Sequence, residues 1–361
     1  MQMEMIFEMK KTLFELLQIA VNRREKLSAT LSDEEWMSIF KLLKKQALYG
    51  VGFDAICKLP AEQRPPKLMF MQGFAQAEFI KEQNSLLNKR VLELRDIMQG
   101  MEIPYCILKG QGTAILYPKP ECRQCGDIDV WCDCPRDLLL EKVGKKYALG
   151  DKVIHHADVT FFEDISVDLH YVPTWLYAPW HSKNLLDFIS KEKNAQMTHQ
   201  NKYGFCSPTI KFNLVYSMMH MFRHLFEEGI GLRQFMDYYY IVLHSTEQER
   251  KKAVEVIKKI GKIRFLGAVM YVLQEVFLLE EKYLLVKPNS KLGQFLIDEI
   301  WIGGNFGHHD NRVQKKKSYL DNIKRRMGRQ LSFYSFAPSE VICSPFWKVW
   351  HYCWRKKNGY I

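Results

Sequence analysis

The alternating segment Asp127–Cys132 restricts the fold of this chain more than any other feature. It reads D-I-D-V-W-C, and Pro135 follows shortly after it. Successive side chains of a β-strand point to opposite faces, so Asp127 and Asp129 should share one face and the apolar residues between them the other. The apolar face is expected to be buried. The pattern therefore predicts a strand that carries two carboxylates on one side of a sheet.

A third carboxylate, Asp168, occupies a similar setting in the segment I-S-V-D-L-H-Y. Its neighbours Val167 and Leu169 should face the core, which leaves Asp168 on the other face of a predicted strand. If this strand pairs beside the first one, the three carboxylates converge. Carboxylates held that close repel one another unless a cation lies between them. The alternative is that D-x-D ends an exposed strand and that Asp168 faces water at a sheet edge.

The converging carboxylates are interpreted as a site for Mg²⁺, which Mn²⁺ could replace. Mg²⁺ takes oxygen ligands and keeps several waters, so it needs only one or two protein carboxylates besides substrate phosphates. In a two-ion site, one ion acts on the attacking oxygen and the other on the phosphates. Asp168 would then orient or deprotonate an acceptor hydroxyl. The predicted metal ligands and catalytic residues are Asp127, Asp129 and Asp168.

A glycine turn, Lys109–Gly112, lies between a predicted strand at 103–108 and a predicted helix at 113–117. Glycine lets the backbone approach a phosphate, a helix N-terminus presents free N–H groups, and the lysine adds a positive charge. Arg123, in the loop before the D-x-D pair, could bind a phosphate through both arms of its guanidinium. Such turns also serve as plain connectors, and Arg123 could equally lie on the surface. The predicted nucleotide-binding residues are Lys109, Gly110, Gln111, Arg123 and Gly126.

The rest of the chain predicts helices on both sides of this segment. The N-terminal part shows helical spacing of apolar residues and a capping box at Ser32–Glu35. The middle part predicts the order β-α-β-α-β-β, with its last two strands at 153–162 and 165–171. Helices return after a predicted cap at Ser207-Pro208. The predicted fold is α+β, a small mixed-sheet core flanked by helical regions, with boundaries at 1–100, 101–206 and 207–361.

The composition is that of a basic globular protein. Hydrophobic residues make up 47% of the 361 residues, enough for a sizeable core, and the formal net charge is +11. This charge favours an anionic partner, which could be a nucleotide, a nucleic acid or an acidic membrane. The basic run 315–329 and the aromatic, basic tail fit the last two, or else a solvated helix face and a docking tail.

Targeting signals and cysteine usage both suggest the cytoplasm. The N-terminus lacks the features of a secretory signal, and no run approaches the ~20 apolar residues that span a bilayer. The nine cysteines, an odd number spread through a long chain, are expected to be reduced thiols. We therefore predict a cytoplasmic protein without a transmembrane segment.

Two cysteine pairs invite a zinc interpretation, which we consider the weaker one. The pattern is C-x-x-C followed by C-x-C, formed by Cys122, Cys125, Cys132 and Cys134. The last two fall on the predicted core face of the D-x-D strand, and the spacing is short for a zinc ribbon.

Two further pairs lie at helical spacing in the C-terminal part. His220 and His224 should share one helix face, but no third zinc ligand is evident. Packing within the fold is favoured for them, and a place at the rim of the cleft is the alternative for both and for Arg233. Arg233 and Asp237 are predicted to form an ion pair along the next helix.

The segments I-L-K-G-Q-G-T-A-I-L-Y-P, R-Q-C-G-D-I-D-V and V-D-L-H-Y resemble the polymerase-β-type nucleotidyltransferase superfamily. The chain is similar, over most of residues 100–361, to a bacterial family of uncharacterised nucleotidyltransferases. The resemblance implies Mg²⁺-dependent transfer of a nucleoside monophosphate from an NTP, with release of pyrophosphate. Asp127 and Asp129 match the metal-binding pair, and Asp168 matches the third carboxylate. Gly110 matches the phosphate-turn glycine, but Gln111 stands where the superfamily usually has Ser or Gly.

Two functions follow from these patterns. The first is a nucleotidyltransferase that uses an NTP and an unknown hydroxyl acceptor on a small molecule, a protein or a nucleic acid. The second is a catalytically inactive protein of the same fold that binds a nucleotide or a nucleic acid, which the residue Gln111 favours. The acceptor and the base of the NTP stay open.

Overall fold

The computed structural model describes residues 2–310 and 327–360, with side chains from residue 7 onward. Most of the predicted basic run, at 315–326, lies outside the described residues. The rest confirms the predicted α+β class, because helices surround a five-stranded mixed sheet. Within the part of the chain that the structure describes, no helix combines the length and apolar character needed to span a membrane.

The N-terminal part is helical, as predicted. The capping box at the start of α2 is confirmed, since Ser32 Oγ accepts from the N–H of Glu35 at 3.3 Å and the Glu35 carboxylate accepts from the N–H of Ser32 at 2.7 Å. This reciprocal cap satisfies N–H groups that a helix start otherwise leaves free. The α-helices here are α1 (Gln2–Ala20), α2 (Asp33–Lys45), α3 (Tyr49–Lys58) and α4 (Lys67–Gly100).

The sheet brings the two predicted carboxylate strands together. Its strands are β1 (Tyr105–Ile107), β2 (Ile128–Cys132), β3 (Ala148–Lys152), β4 (His156–Thr160) and β5 (Val167–His170). Their spatial order is β1-β2-β5-β4-β3. β2 and β5 run parallel, whereas all other neighbours are antiparallel. The D-x-D strand and the Asp168 strand are therefore direct neighbours at the middle of the sheet.

Helices cover both faces of β2. The apolar residues Ile128 and Val130 belong to one buried cluster with residues of α4 and α6 (Arg136–Gly144). On the opposite face, Trp131 stacks on Phe212 of α8 (Ile210–Glu227), with ring centroids 5.6 Å apart. All five residues of β2 are buried. The face that carries Asp129 therefore lies under a helical layer.

Strand β3 is an error of the sequence analysis, which predicts no strand between residues 133 and 152. Its segment reads A-L-G-D-K, and none of its residues is buried. An edge strand of this kind lacks the apolar alternation by which strands are recognised. The predicted strand at 153–162 corresponds to β4 alone, which pairs antiparallel with β3.

Two helix starts also differ from the predictions. The helix after the glycine turn is the short α5 (Gln111–Ala114), rather than 113–117. The cap of α8 is Thr209, whose hydroxyl accepts from the N–H of Phe212 at 3.3 Å, rather than Ser207. Both Thr and Ser are good N-cap residues, so composition alone does not separate them.

The described residues of the C-terminal part are mainly helical, as predicted. Its helices share a large buried cluster with α1, α2 and α3. Trp347 of the last helix stacks on Trp175, with centroids 3.9 Å apart, which ties the aromatic tail to the loop after β5. The α-helices around α8 are α7 (Pro179–Thr198), α9 (Leu232–Leu243), α10 (Glu247–Lys259), α11 (Ile263–Phe277), α12 (Ser290–Gly303) and α13 (Pro338–Lys357).

Candidate active site

Strand register places three carboxylates in one row. Asp129 of β2 pairs with Asp168 of β5, which in turn pairs with Asp158 of β4. Residues that pair directly across neighbouring strands point to the same face. The row therefore lies on the face of the sheet that α8 covers. The sequence analysis missed Asp158, although its apolar neighbours Ala157 and Val159 give it the same alternation as Asp168.

Asp129 is the most enclosed member of the row, with 2% of its side chain exposed. Its Oδ1 accepts from Lys109 Nζ at 2.8 Å and from His170 Nε2 at 2.9 Å. Burial alone would raise the pKa of this carboxyl group, but the charge of Lys109 and the hydrogen bond from His170 outweigh burial and hold the pKa well below its usual range. Asp129 is therefore an anion at neutral pH, fixed from two sides.

Asp168 has the opposite pKa shift. Burial, followed by the negative charge of Asp129, raises the pKa of Asp168 to about 6. A carboxyl group with such a pKa accepts a proton near neutral pH more readily than an ordinary aspartate does. The pair thus combines a permanently ionised carboxylate with one that can exchange a proton.

Two overlapping groups of side chains could hold a metal ion. Asp129, Asp168 and His170 form the first group, with ligand atoms within 4.8 Å of one another. His156, Asp158 and Asp168 form the second, so Asp168 belongs to both. The carboxylates suit Mg²⁺ or Mn²⁺, whereas imidazole is a less usual ligand for either.

His170 therefore has a different task in this arrangement. Since an ionised carboxylate only accepts, His170 donates its Nε2–H to Asp129 and orients it. The sequence analysis gave His170 no role. Asp168 and His170 are separated by one position, so the same alternation that places Asp168 also places His170 on this face.

Asp127 lies just before β2 and is exposed. It belongs to neither metal-binding group, and within residues 2–310 and 327–360 its side chain forms no hydrogen bond or ion pair. Its charge still adds to the raised pKa of Asp168, after burial and Asp129. Asp127 is thus near the row without being part of it, and a metal contact by Asp127 stays a prediction.

The glycine turn packs against the start of the D-x-D strand. Gly110 has φ 52° and ψ −114°, a conformation that favours glycine. A Cβ atom at Gly110 would lie 3.3 Å from the carbonyl oxygen of Asp127, so the two segments approach closely. Gly126 differs, since an added Cβ would meet nothing within 4 Å. The turn therefore requires glycine at 110 and sits beside the carboxylates.

A comparison with known protein families agrees with this geometry. A family model described as an uncharacterised nucleotidyltransferase matches residues 32–278, which is more than half of the chain and includes the whole sheet. The chain belongs to this nucleotidyltransferase family. No curated protein matches the chain. Membership of the nucleotidyltransferase family implies a transferase that uses an NTP.

Gln111, the residue that departs from the usual nucleotidyltransferase pattern, is buried inside the protein. Its Oε1 accepts from Cys125 Sγ at 2.7 Å, and its Nε2 donates to Asn88 Oδ1 and to the carbonyl of Asn84 at 3.5 Å. Both asparagines belong to α4, so Gln111 fastens the turn to that helix. Its carboxamide is occupied by protein partners, and any nucleotide contact at 111 would involve the backbone.

Arg123 is also enclosed by the protein rather than exposed at the surface. Only 4% of its side chain is exposed, and its Nε and Nη2 each donate to the Asp237 carboxylate at 2.7 Å. A third contact joins Nη1 to Cys125 Sγ at 2.8 Å. This bidentate ion pair fixes the loop before β2 to α9. A triphosphate contact by Arg123 would require exchange of that carboxylate and stays a prediction.

The predicted helix ion pair between Arg233 and Asp237 is wrong, because Asp237 pairs with Arg123 instead. Arg233 Nη1 donates to the carbonyl of Gln124 at 2.7 Å. His220 and His224 do lie together, with ring centroids 4.2 Å apart. Burial lowers the pKa of His220 well below its usual value, and the charge of Lys109 lowers it further. The two histidines therefore share one face of α8, as predicted.

The zinc interpretations find no ligand set in the described part of the chain. Neither metal-binding group there includes a cysteine, His220 or His224. Cys132 Sγ lies 3.8 Å from Met98 Sδ in the core, and Cys122 is buried. Burial raises the pKa of both thiols, which disfavours the thiolate that zinc requires.

Proposed function

We propose that this chain is a Mg²⁺-dependent nucleotidyltransferase of the polymerase-β type. It transfers a nucleoside monophosphate from an NTP to a hydroxyl acceptor and releases pyrophosphate. The observation that carries the proposal is the direct pairing of Asp129 with Asp168, beside Lys109 and a glycine turn. An ionised carboxylate, a proton-accepting carboxylate and a glycine turn beside a lysine are parts that suit this reaction.

Asp129 and Asp168 would hold the metal, with Asp127 as a third carboxylate from the same strand end. The oxygen donors fit Mg²⁺, and the cationic Lys109 beside Asp129 marks a position where positive charge is favourable. Mg²⁺, when bound there, neutralises phosphate charge and lowers the pKa of the acceptor hydroxyl. His170 holds Asp129 in position through its Nε2.

Asp168 is proposed to take the proton of the acceptor hydroxyl. The hydroxyl oxygen then forms a bond to the α-phosphorus, and the bond from that phosphorus to pyrophosphate breaks. Asp129 cannot take this role, because Lys109 and His170 keep its pKa well below the usual range. The two aspartates therefore have separate tasks although they lie opposite each other in the sheet.

The glycine turn is proposed to bind a phosphate through its backbone. The N–H groups of Gly112 and Thr113 donate to the carbonyls of Lys109 and Gly110 at 2.8 and 3.2 Å. Those of Gly110 and Gln111 have no such partner within residues 2–310 and 327–360. Free N–H groups beside a lysine suit a phosphate oxygen. Lys109 would then move from Asp129 to the substrate once Asp129 is shared with a metal.

Label transfer tests this proposal. The full-length protein is incubated with each of four NTPs, labelled at the α-phosphate, with Mg²⁺ or Mn²⁺ and separate small-molecule, protein and nucleic-acid fractions as acceptors. We expect label in one acceptor fraction and an equal amount of pyrophosphate. The variant Asp127→Ala plus Asp129→Ala should give neither product. Transfer that survives this double substitution contradicts the site, and NTP binding without any transfer favours the inactive alternative.

A further inference from the structure

Helices α8 and α9 carry two arginines that form no ion pair within residues 2–310 and 327–360. Arg223 forms neither a hydrogen bond nor an ion pair within the described residues, and its guanidinium lies over the ring of Trp175 at 4.4 Å. The two carboxylates at the C-terminal end of α8, Glu227 and Glu228, are engaged elsewhere. Glu227 accepts from the hydroxyl of Tyr177 and lies 3.7 Å from Lys348, and Glu228 lies 3.4 Å from His224 Nδ1.

Arg233 is in a similar state. It donates one hydrogen bond, to the carbonyl of Gln124, and its guanidinium lies 5.5 Å from the ring centre of Phe306. The carboxylate that its sequence spacing offers, Asp237, is occupied by Arg123. Burial lowers the pKa of Arg223 and of Arg233. Both side chains are partly buried, and the charges of Glu227 and Glu228 act on Arg223 as those of Asp237 and Asp127 act on Arg233. Neither arginine forms an ion pair with these carboxylates within the described residues. A partly buried cation without an ion pair is unfavourable, so both arginines are suited to an anionic ligand.

Both arginines border the carboxylate row. Arg233 donates to the carbonyl of Gln124, three residues before Asp127. Arg223 lies over the ring of Trp175, whose centroid is 6.0 Å from that of His155, and the rings of His155 and His156 lie 4.4 Å apart. His156 in turn has its ring 5.2 Å from that of His170, which binds Asp129. Arg233 therefore lies on the Asp127 side of the site and Arg223 on the His170 side.

The region also contains other buried polar atoms without a hydrogen-bond partner. Polar atoms in a protein interior are normally paired, so a group of unpaired ones indicates a place for a polar ligand. Tyr216 is 1% exposed, and after burial the charge of Asp129 contributes most to its raised pKa, which places it near the site. The unpaired atoms are Tyr216 Oη, His170 Nδ1, Trp175 Nε1, Arg223 Nε and Arg233 Nε.

We propose that Arg223 and Arg233 are the polyphosphate-binding residues of the candidate site and bind the β- and γ-phosphates of the NTP. Guanidinium groups match phosphate oxygens in geometry, and each such charge-assisted contact is roughly twice as strong as a neutral hydrogen bond. Arg123 does not share this role, because Asp237 already supplies its bidentate anion. The identity of the ligand as an NTP rests on the proposed function, whereas polyphosphate binding does not.

Titration of the metal-free protein with tripolyphosphate tests the inference. Arg223→Gln and Arg233→Gln should each weaken tripolyphosphate binding by about 10-fold or more. Arg264→Gln is the matched control, since it removes the same charge from an exposed position on α11 and should change the affinity less than about 2-fold. Binding of AMP, a phosphomonoester, should be unchanged in all three variants. Far-UV circular dichroism and the melting temperature establish that each variant is folded.

Several outcomes would overturn the inference. Tripolyphosphate binding at wild-type strength in both glutamine variants contradicts it, and so does equal weakening of AMP and tripolyphosphate, which would assign the arginines to a single phosphate group. If a glutamine variant does not fold, Arg223→Lys and Arg233→Lys keep the charge but lose the bidentate geometry, and an intermediate affinity is expected. Arginine-dependent tripolyphosphate binding without nucleotidyl transfer would keep this inference and refute the proposed function. Nucleotidyl transfer with a wild-type KM for NTP in both glutamine variants would keep the proposed function and refute this inference.

Discussion

The candidate site has a sheet side, formed by the carboxylate row with Lys109 and His170, and a helix side, formed by Arg223 of α8 and Arg233 of α9. The two sides differ in how far the protein itself neutralises their charges. On the sheet side, Asp129 already has Lys109 and His170 as partners at hydrogen-bond distance. On the helix side, Arg223 and Arg233 have no ion pair within the described residues, and their Nε atoms are buried without partners. The central carboxylate of the sheet side is thus held in position by the protein itself, whereas the arginines of the helix side would be paired by an anionic ligand.

This difference assigns catalysis to one side of the site and substrate binding to the other. A preorganised group contributes to the reaction step, because it needs no rearrangement when charge develops. An unpaired cation contributes to binding, because the ligand removes an unfavourable state of the free protein. Substitutions on the sheet side should therefore lower kcat, and substitutions on the helix side should raise KM for the NTP.

The largest effect is expected from Asp129→Asn. The substitution keeps the shape of the side chain but removes the metal-binding charge and leaves Lys109 without its anion. We expect kcat to fall by about 1000-fold or more, with little change in KM. Steady-state label transfer measures both. Asp133→Asn is the control, because Asp133 follows β2 and pairs with Lys193 at 2.6 Å, away from the carboxylate row. A loss of less than about 10-fold in Asp129→Asn would contradict the role of the sheet side.

The second prediction concerns Arg123 and tests whether this arginine stabilises the fold or binds the ligand. Arg123→Ala leaves Asp237 without its guanidinium partner in a largely buried place. Loss of one partner of a buried ion pair costs about 3–5 kcal/mol of unfolding free energy. Urea denaturation should show this loss, whereas Arg223→Gln should lower the unfolding free energy far less. An Arg123→Ala protein of normal stability with a raised KM for NTP would return Arg123 to the phosphate-binding role.

The third prediction uses two glycines near the D-x-D strand. Gly110→Ala forces an L-residue into a positive-φ conformation and brings a Cβ 3.3 Å from the Asp127 carbonyl. We expect a loss of about 1–2 kcal/mol in unfolding free energy and about a 10-fold loss in kcat/KM, since the turn shifts against the site. Gly126→Ala, where a Cβ meets nothing within 4 Å, should change neither. Equal changes of unfolding free energy and kcat/KM in the two variants would contradict a role of the glycine turn in the site.

The smallest effect is a pH dependence of the metal-free protein. The pKa of Asp168 is about 6 in the folded chain, raised from 3.8 by burial and by Asp129. The folded state therefore holds this proton more tightly than the unfolded state, and its contribution to stability is present below pH 3.8 and lost as pH rises to about 6. Relative to Asp168→Asn, the wild type should lose about 1–2 kcal/mol of unfolding free energy across this interval without Mg²⁺.

Added Mg²⁺ should act in the opposite direction. Ion binding requires the ionised carboxylate, so the gain in melting temperature on adding Mg²⁺ should grow as pH rises through about 6. Asp168→Asn should show a smaller gain that does not change with pH. A Mg²⁺ effect that is independent of pH in the wild type would separate Asp168 from the metal site.

Local pattern was enough to predict that Asp129 and Asp168 lie on one face of the sheet. Alternation assigns a strand face to Asp129 and to Asp168, and two predicted strands in one small sheet have few ways to pair. The same alternation around Asp158 was overlooked. Strand β3 could not be found in this way, because an edge strand with polar residues on both faces has no alternating signal.

The helix side depends on contacts between distant parts of the chain. The partner of Arg123 is Asp237, which lies 114 residues further along and is fixed only by tertiary packing. The sequence analysis could have included Arg223, because it follows His220 by three positions and therefore lies on the same helix face. What marks it as a ligand-binding residue is the missing partner, and that is visible only in the folded protein.

Steady-state nucleotidyl transfer at saturating Mg²⁺, with the NTP concentration varied, compares the two sides most directly. Measured on wild type, Asp129→Asn and Arg223→Gln, it should give a low kcat with a normal KM for the first variant. For the second variant it should give a near-normal kcat with a KM raised about 10-fold or more. If both variants change the same parameter, kcat or KM, the division of the site into a reacting side and a binding side is contradicted. The same holds if Asp129→Asn turns over at the wild-type rate.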